Sequence, residues 1–213
     1  MTDPMETVRG QKVVIRFEAG KCIHSRHCVL DRPDVFVANV SGEWIHPDRA
    51  TADEAAEIAH NCPSGAITYE RLDGGAEERA PLVNVVRVRE NGPLAFRAPL
   101  TVGGKSAGMR ATLCRCGASK NKPYCDSSHV AAQFSATGEP PTVESPPLRS
   151  RGGPLNVTPL PNGPLKVEGP LELVSGTGRT ISRTAEAYLC RCGASGKKPY
   201  CDGSHARIGF KSA

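Results

Sequence analysis

The sequence predicts an α+β protein in which a small mixed unit precedes a mostly β tandem. Three observations predict it. The stretch Leu113 to His129, LCRCGASKNKPYCDSSH, returns at Leu189 to His205 as LCRCGASGKKPYCDGSH, differing only at Lys120/Gly196, Asn121/Lys197 and Ser127/Gly203. Each copy follows an Asn-Gly turn set between apolar-alternating runs, the mark of a hairpin. Residues 1–72 read instead as strand, loop, helix, Cys-Pro and strand.

Composition bounds what this fold can be. With 38% apolar and 5% aromatic residues, and 22 Gly and 18 Pro among 213, no large core is expected. Small domains with little to bury need a staple. The nine cysteines form three groups of three: Cys22, Cys28 and Cys62; Cys114, Cys116 and Cys125; Cys190, Cys192 and Cys201. An odd total with none left over argues against a disulfide framework and for metal sites in a reducing compartment. The run MTDPMETVRGQ has no apolar centre like that of a secretory signal, and no stretch reaches bilayer-spanning length. A soluble, cytoplasmic protein without membrane contact is expected. The net charge of +5 is modest and the Lys and Arg are scattered, which gives nucleic-acid binding little support.

Along the chain, Lys12 to Glu18 has the β-branched look of a strand. After KCIHSRHC and a Trp-bearing segment, Glu43 to His46, Thr51 and Glu54 form a capping-box pair that opens a helix. Ala55, Ala56, Ile58 and Ala59 give that helix one small apolar side, and Asn61-Cys62-Pro63 ends it. Ala66 to Glu70 reads as a second strand, and Arg71 to Ala80 as a polar, Gly-rich linker. The lone histidines His46 and His60 read as surface or packing residues. The first repeat then offers Leu82 to Val88, a turn at Glu90–Pro93, and Phe96 to Val102. The second offers Leu155 to Leu160, Asn162-Gly163-Pro164, and Leu165 to Val174, followed by a loop from Ser175 to Thr184. Phe134 and Phe210 close the two copies, and Ser135 to Gly153 reads as a semi-extended tether. The expected segments are 1–72, a linker 73–80, a first repeat 81–134, a linker 135–153 and a second repeat 154–213.

Each repeated stretch has the spacing C-x-C-x8-C-x3-H, four soft or borderline ligands in a short loop, which is a metal-site signal. Cys190 and Cys192 flank one residue, so both sulfurs can turn to one centre from an extended segment. A turn at Lys197-Lys198-Pro199 returns Cys201, and Asp202 is placed to cap a helix through the amides of Ser204 or His205. Cys201 and His205, four apart at the helix start, share a side. Spacing alone also admits a Cys3His zinc knuckle that stabilises an interaction module.

The run C-x-C-x2-S-x3-P-x-C-D-G-S-H resembles that of the CDGSH iron–sulfur domains, the mitoNEET-like proteins. The resemblance implies a [2Fe–2S] cluster held by Cys114, Cys116, Cys125 and His129, and a second held by Cys190, Cys192, Cys201 and His205. Ser127 departs from the motif where Gly203 keeps it; a serine in the first helical turn is expected to leave the cluster in place. Single-domain relatives form homodimers, so the resemblance implies a pseudo-dimer within one chain, monomeric as a whole. An isolated hairpin is marginal, and the strands of both copies are expected to combine in one sandwich-like sheet.

The N-terminal unit resembles divergent single-cluster ferredoxins. Against C-x2-C-x2-C with a remote Cys-Pro, Cys22 and Cys28 take the first and third places, Ser25 the second, and Cys62-Pro63 the remote one. Three thiolates suit a [3Fe–4S] cluster; a [4Fe–4S] form needs a fourth ligand from His24, Ser25, His27 or solvent. The expected function is electron transfer with a separate reductase or acceptor protein, without enzyme activity of its own. Cluster transfer to an apo-protein acceptor, or redox or pH sensing, is the alternative. The basic residues beside the ligands, Arg115, Lys120, Lys122, Arg191, Lys197 and Lys198, either are simply solvated or offset thiolate charge and favour an acidic partner.

Overall fold

A computed structural model describes residues 5–212. The fold is α+β, and the chain divides into two compact units, Met1–Arg79 and Ala80–Ala213.

In the first unit, strands β1 (Glu6–Arg9), β2 (Val13–Phe17) and β3 (Ile67–Arg71) form an antiparallel sheet with β2 in the middle. Helix α1 (His27–Asp31) is one short turn, and α2 (Ala52–Asn61) is the main helix. The capping box is formed in full: the Thr51 side chain accepts from the Glu54 amide at 3.2 Å, and the Glu54 carboxylate accepts from the Thr51 amide at 2.8 Å. Such a cap is worth about 1 kcal/mol. The small side chains Ala52, Ala55, Ala56 and Ala59 let α2 sit close to Val13, Ile15, Ile67 and Phe36. His60 packs its ring edge-on against Tyr69 and bonds its hydroxyl at 3.1 Å, the packing role expected of it. Strand β1 was not foreseen.

The second unit has six strands in one sheet: β4 (Val85–Val88), β5 (Leu94–Val102), β6 (Lys105–Leu113), β7 (Leu155–Pro159), β8 (Leu165–Val174) and β9 (Thr180–Leu189). Two expectations need correction. Each repeat carries three strands rather than a pair, and Thr180–Thr184 belongs to β9 instead of a loop. The first strand also begins later than expected, at Val85, and leaves Leu82 outside it at 92% exposure.

The two long central strands change partners halfway. β5 pairs antiparallel with β4 through Leu94–Arg97, then parallel with β7 through Leu100–Val102. β8 does the mirror of this, pairing with β7 through Leu165–Glu168 and with β4 through Glu172–Val174. The change falls at Ala98-Pro99 and at Gly169-Pro170, where proline has no amide to give the ladder. Each repeat's first strand is thus held between the long strands of both repeats. Val86, Leu94, Phe96, Leu155, Leu165 and Leu173 fill the shared core.

The 135–153 segment is no free tether. The Val143 amide donates to Ile181 O at 2.8 Å, the Arg183 amide to Ser145 Oγ at 2.8 Å, and the Asn84 amide to Arg151 O at 2.6 Å. This connection is strapped along the sheet it joins.

Candidate metal centres

Strands β6 and β9 run directly into the two repeated loops. Each loop folds back on its own strand: Cys114 N donates to Pro123 O and Cys190 N to Pro199 O, both at 2.8 Å, while Cys125 N donates to Thr112 O at 2.9 Å and Cys201 N to Tyr188 O at 2.8 Å. The third cysteine is thereby returned to the first two. Ser119 Oγ and Ser195 Oγ donate to the carbonyls of Tyr124 and Tyr200 and hold the turn closed.

Asp126 and Asp202 then fix the start of the short helices α3 (Ser128–Ala131) and α4 (Ser204–Arg207). One oxygen of Asp202 accepts from Ser204 N at 2.9 Å and the other from Gly196 N at 2.8 Å. The Ser204 hydroxyl foremost, with those two backbone bonds, holds its carboxyl well below the usual carboxylate range. The expected bond to Ser204 is present, but the residue before the helix is Gly203, not Asp202. Gly203 has φ +84° and Ser127, its counterpart, φ +67°. Ser127 therefore lies before the helix, in the left-handed region, rather than in its first turn. A Cβ there costs about 1 kcal/mol. Gly203→Ser is expected to lower the second motif's stability by about that amount, whereas Ser127→Gly gains less because glycine's chain entropy offsets it. Thermal melting of the full chain with each change decides this; a stabilising Gly203→Ser would refute the strain.

The four donors of each loop form two pairs rather than one quartet. Cys114 Sγ and Cys116 Sγ lie 3.7 Å apart, and Cys125 Sγ and His129 Nδ1 3.5 Å. The second loop repeats this, with Cys190 and Cys192 at 3.8 Å and Cys201 and His205 Nδ1 at 3.3 Å. Two ligands of one tetrahedral metal at bonds near 2.3 Å stand about 3.8 Å apart. Among the described residues no group of three or more His, Cys, Asp or Glu closes on a single-ion position.

The thiols already sense one another. The hydrogen bond from Cys116 foremost brings the Cys114 thiol down to about 6, while Cys116 itself is pushed up. Burial pushes Cys125 up to about 11, with the charge of Cys114 adding to it. Buried thiols that resist ionisation alone are suited to a cation that takes the proton's place. Backbone amides of Ala118, Ser127 and Gly203 point at Cys116, Cys125 and Cys201 at 3.4 Å each and favour thiolate.

The six basic residues beside the ligands fall into three kinds. Arg115 and Arg191 are buried; Lys122 Nζ and Lys198 Nζ donate to the carbonyls of Ser119 and Ser195 at 2.7 and 2.6 Å; Lys120 and Lys197 are exposed. Sequence reasoning grouped all six as loop charge. Between Cys114 and Cys116, the Arg115 guanidinium donates to Gly92 O, Arg89 O, Thr137 O and Ala136 O at 2.6 to 3.1 Å and stacks over Phe134. Arg191 donates to Gly163 O at 3.0 Å and Leu160 O at 2.6 Å and stacks over Phe210. The Asn-Gly-Pro hairpin turns are thus tied to the ligand loops. The paired Phe that ends each repeat was the signal of it.

In the first unit Cys22, Cys28 and Cys62 line one cavity of about 420 Å³ with Phe17, Trp44 and Ile67. Burial raises the Cys22 and Cys28 thiols, and the charge of Cys62 acts on both in the same direction. The three cysteines therefore face one shared cavity. His24, Ser25 and His27 also line the cavity, with His24 Nδ1 4.0 Å from Cys22 Sγ and His27 Nδ1 4.0 Å from Asp31. The loop accepts left-handed backbone at His24 (φ +53°) and Arg26 (φ +66°), which turns the His24 amide onto Cys22 Sγ at 3.4 Å.

Residues 83–130 and 162–206 match the family described as iron-binding zinc finger, CDGSH type, and residues 8–72 match the divergent 4Fe-4S mono-cluster family. No curated protein matches the chain. Among the described residues no helix is long and apolar enough to cross a membrane.

Proposed function

A chain that carries two CDGSH-type iron-binding segments behind a divergent 4Fe-4S mono-cluster segment is, we propose, a three-centre electron carrier. Its two motif loops hold [2Fe–2S] groups, and Cys22, Cys28 and Cys62 hold a [3Fe–4S] or [4Fe–4S] group. The pairing of donors is the observation that carries this reading. Each pair has the separation of two ligands on one tetrahedral metal, and each loop presents two such pairs. A lone zinc ion would draw all four donors to one point. Bound there, an iron–sulfur group supplies reversible one-electron chemistry at little geometric cost.

The chain's own residues prepare the sites for that task. Strands β6 and β9 deliver the first cysteine of each loop at 1% exposure, away from water. His129 and His205 lie half-buried at the outer pair. Neutral imidazole adds no negative charge to the site, which raises a site's potential above an all-thiolate one. Electrons come from a separate reductase and leave to a separate acceptor. Residues 80–213 hold 18 Lys and Arg against 8 Asp and Glu, which favours an acidic redox partner.

The partial exposure of both histidines favours a second reading, release of the group to an apo-protein acceptor or response to pH. Repeated reversible cycling without loss of iron supports the carrier; transfer of iron to an apo acceptor supports the alternative. Iron and sulfide analysis of anaerobically prepared protein, with EPR, tests both against zinc. The carrier predicts about seven to eight irons per chain by ligand counting. Four irons, without the oxidised [3Fe–4S] or reduced [4Fe–4S] signal, would remove the N-terminal site.

A further inference from the structure

The two motif loops meet back to back through their own candidate ligands. Cys116 and Cys192 form an antiparallel backbone bridge across the pseudo-two-fold. Each is followed by a glycine in the left-handed region, Gly117 at φ +83° and Gly193 at φ +81°. A Cβ on Gly117 would stand 2.7 Å from Cys192 O and 3.0 Å from its carbonyl carbon, and one on Gly193 would strike the Cys116 carbonyl in the same way. The missing side chains are what let the loops touch. On the ligand side, the turn at Gly117 aims the Ala118 amide at Cys116 Sγ, 3.4 Å away. One short segment thus holds a thiol on one side and the opposite loop on the other.

We propose that this seam couples the two motif sites, so that each loop keeps its bound group more firmly while the other is filled. The proposal rests on the reading of both loops as iron–sulfur sites. A group held by Cys114 and Cys116 fixes the backbone at Cys116, and Cys116 fixes the register in which Cys192 is bridged. Cys192 does the same in return. Emptying one loop frees its cysteine pair and loosens the bridge, and the loaded loop then loses the backbone support of its second cysteine. Close-packed contacts pass such a change on instead of absorbing it. The coupling is reciprocal: filling the first loop steadies the second by as much as filling the second steadies the first.

The test uses, as parent, the full chain with Cys22, Cys28 and Cys62 replaced by Ala, so that all bound metal belongs to the motif loops. Cys125→Ala with His129→Ala empties the first loop and leaves the seam residues in place; Cys201→Ala with His205→Ala empties the second. Release of metal to a chromogenic chelator is timed, with circular dichroism confirming the sheet. Each single-site chain is expected to release its metal about tenfold faster than the parent, within the range of about five- to 150-fold usual for coupled sites. A parent whose release is the sum of the two single-site curves would overturn the coupling. Gly117→Ala in the filled parent is expected to bring the second loop close to its single-site rate, so that emptying the first loop then adds little. Gly108→Ala, at φ +74° in the same repeat with nothing within 4 Å, is expected to leave the tenfold ratio in place. A Gly117→Ala chain that keeps the ratio would show that the seam is not the route, and the proposal fails. Iron and sulfide content of the parent judges the iron–sulfur reading by itself: a parent that binds zinc alone ends that reading, while the same release comparison still decides the seam.

Discussion

Replacing His129 and His205 together by Cys is expected to abolish acid bleaching of the visible absorbance and to lower both motif potentials by on the order of 100 mV. Each histidine presents Nδ1 to its paired cysteine, at 3.5 and 3.3 Å, and that lone pair serves either metal or proton. Burial foremost lowers the pKa of His129; Asp126 opposes it, and Arg115 and Arg89 reinforce it. A lowered folded value keeps the ring neutral, so its contribution to stability is complete above the unfolded value near 6.5. That contribution is lost as pH falls through the lower folded value, and metal competition moves the loss further down. A bound thiolate is harder to displace by protons, and it adds a negative charge that disfavours reduction. Absorbance against pH and spectroelectrochemistry of both single variants and the double one provide the measurement. A double variant that bleaches at the parent's pH with unchanged potentials would mean that neither histidine is a ligand.

Cutting the chain between Ser135 and Gly153 is expected to leave two halves that do not fold alone, while removing residues 1–79 leaves a folded, iron-bearing remainder. The sheet explains the contrast. Without the second half, β5 loses β7 and β4 loses β8; without the first, β8 loses β4 and β7 loses β5. Val86, Leu100, Leu155 and Leu173, all at or below 3% exposure, lose part of their shared core. Each is worth about 1.5 to 3 kcal/mol when fully buried, and a domain has only about 5 to 15 kcal/mol to lose. Circular dichroism and iron content of the separately expressed halves decide the matter. A monomeric half that melts cooperatively and holds its iron would overturn the shared sheet.

Much of this was legible in the sequence where a local rule acts alone. Thr51 and Glu54 announced a capping box that is formed in both directions. The Asn-Gly turns announced hairpins, and Cys-x-Cys and Cys-x3-His announced the two donor pairs now seen in each loop. What escaped depends on distant partners. Strands β6 and β9 carry Lys105, Gly108, Arg110, Arg183 and Glu186, which break the apolar alternation of a strand; only pairing along β5 and β8 makes them extended. The exchange of β4 and β7 leaves no trace beyond Ala98-Pro99 and Gly169-Pro170, dipeptides that would read equally well as turns. Arg115 looked like any loop cation, because the four carbonyls that surround it come from a turn and a connection more than twenty residues away.

Those carbonyls are shared unequally. Among the described residues Arg115 is bonded to four and Arg191 to two, and Ser127 stands where the other half has glycine. Two identical subunits around a true axis must accept every substitution twice, so whatever detunes one site detunes its mirror image. Here both sides of the axis are encoded separately. One half can be altered while the other is left as it is, and the pair can hold a lasting inequality that a symmetric assembly must forgo.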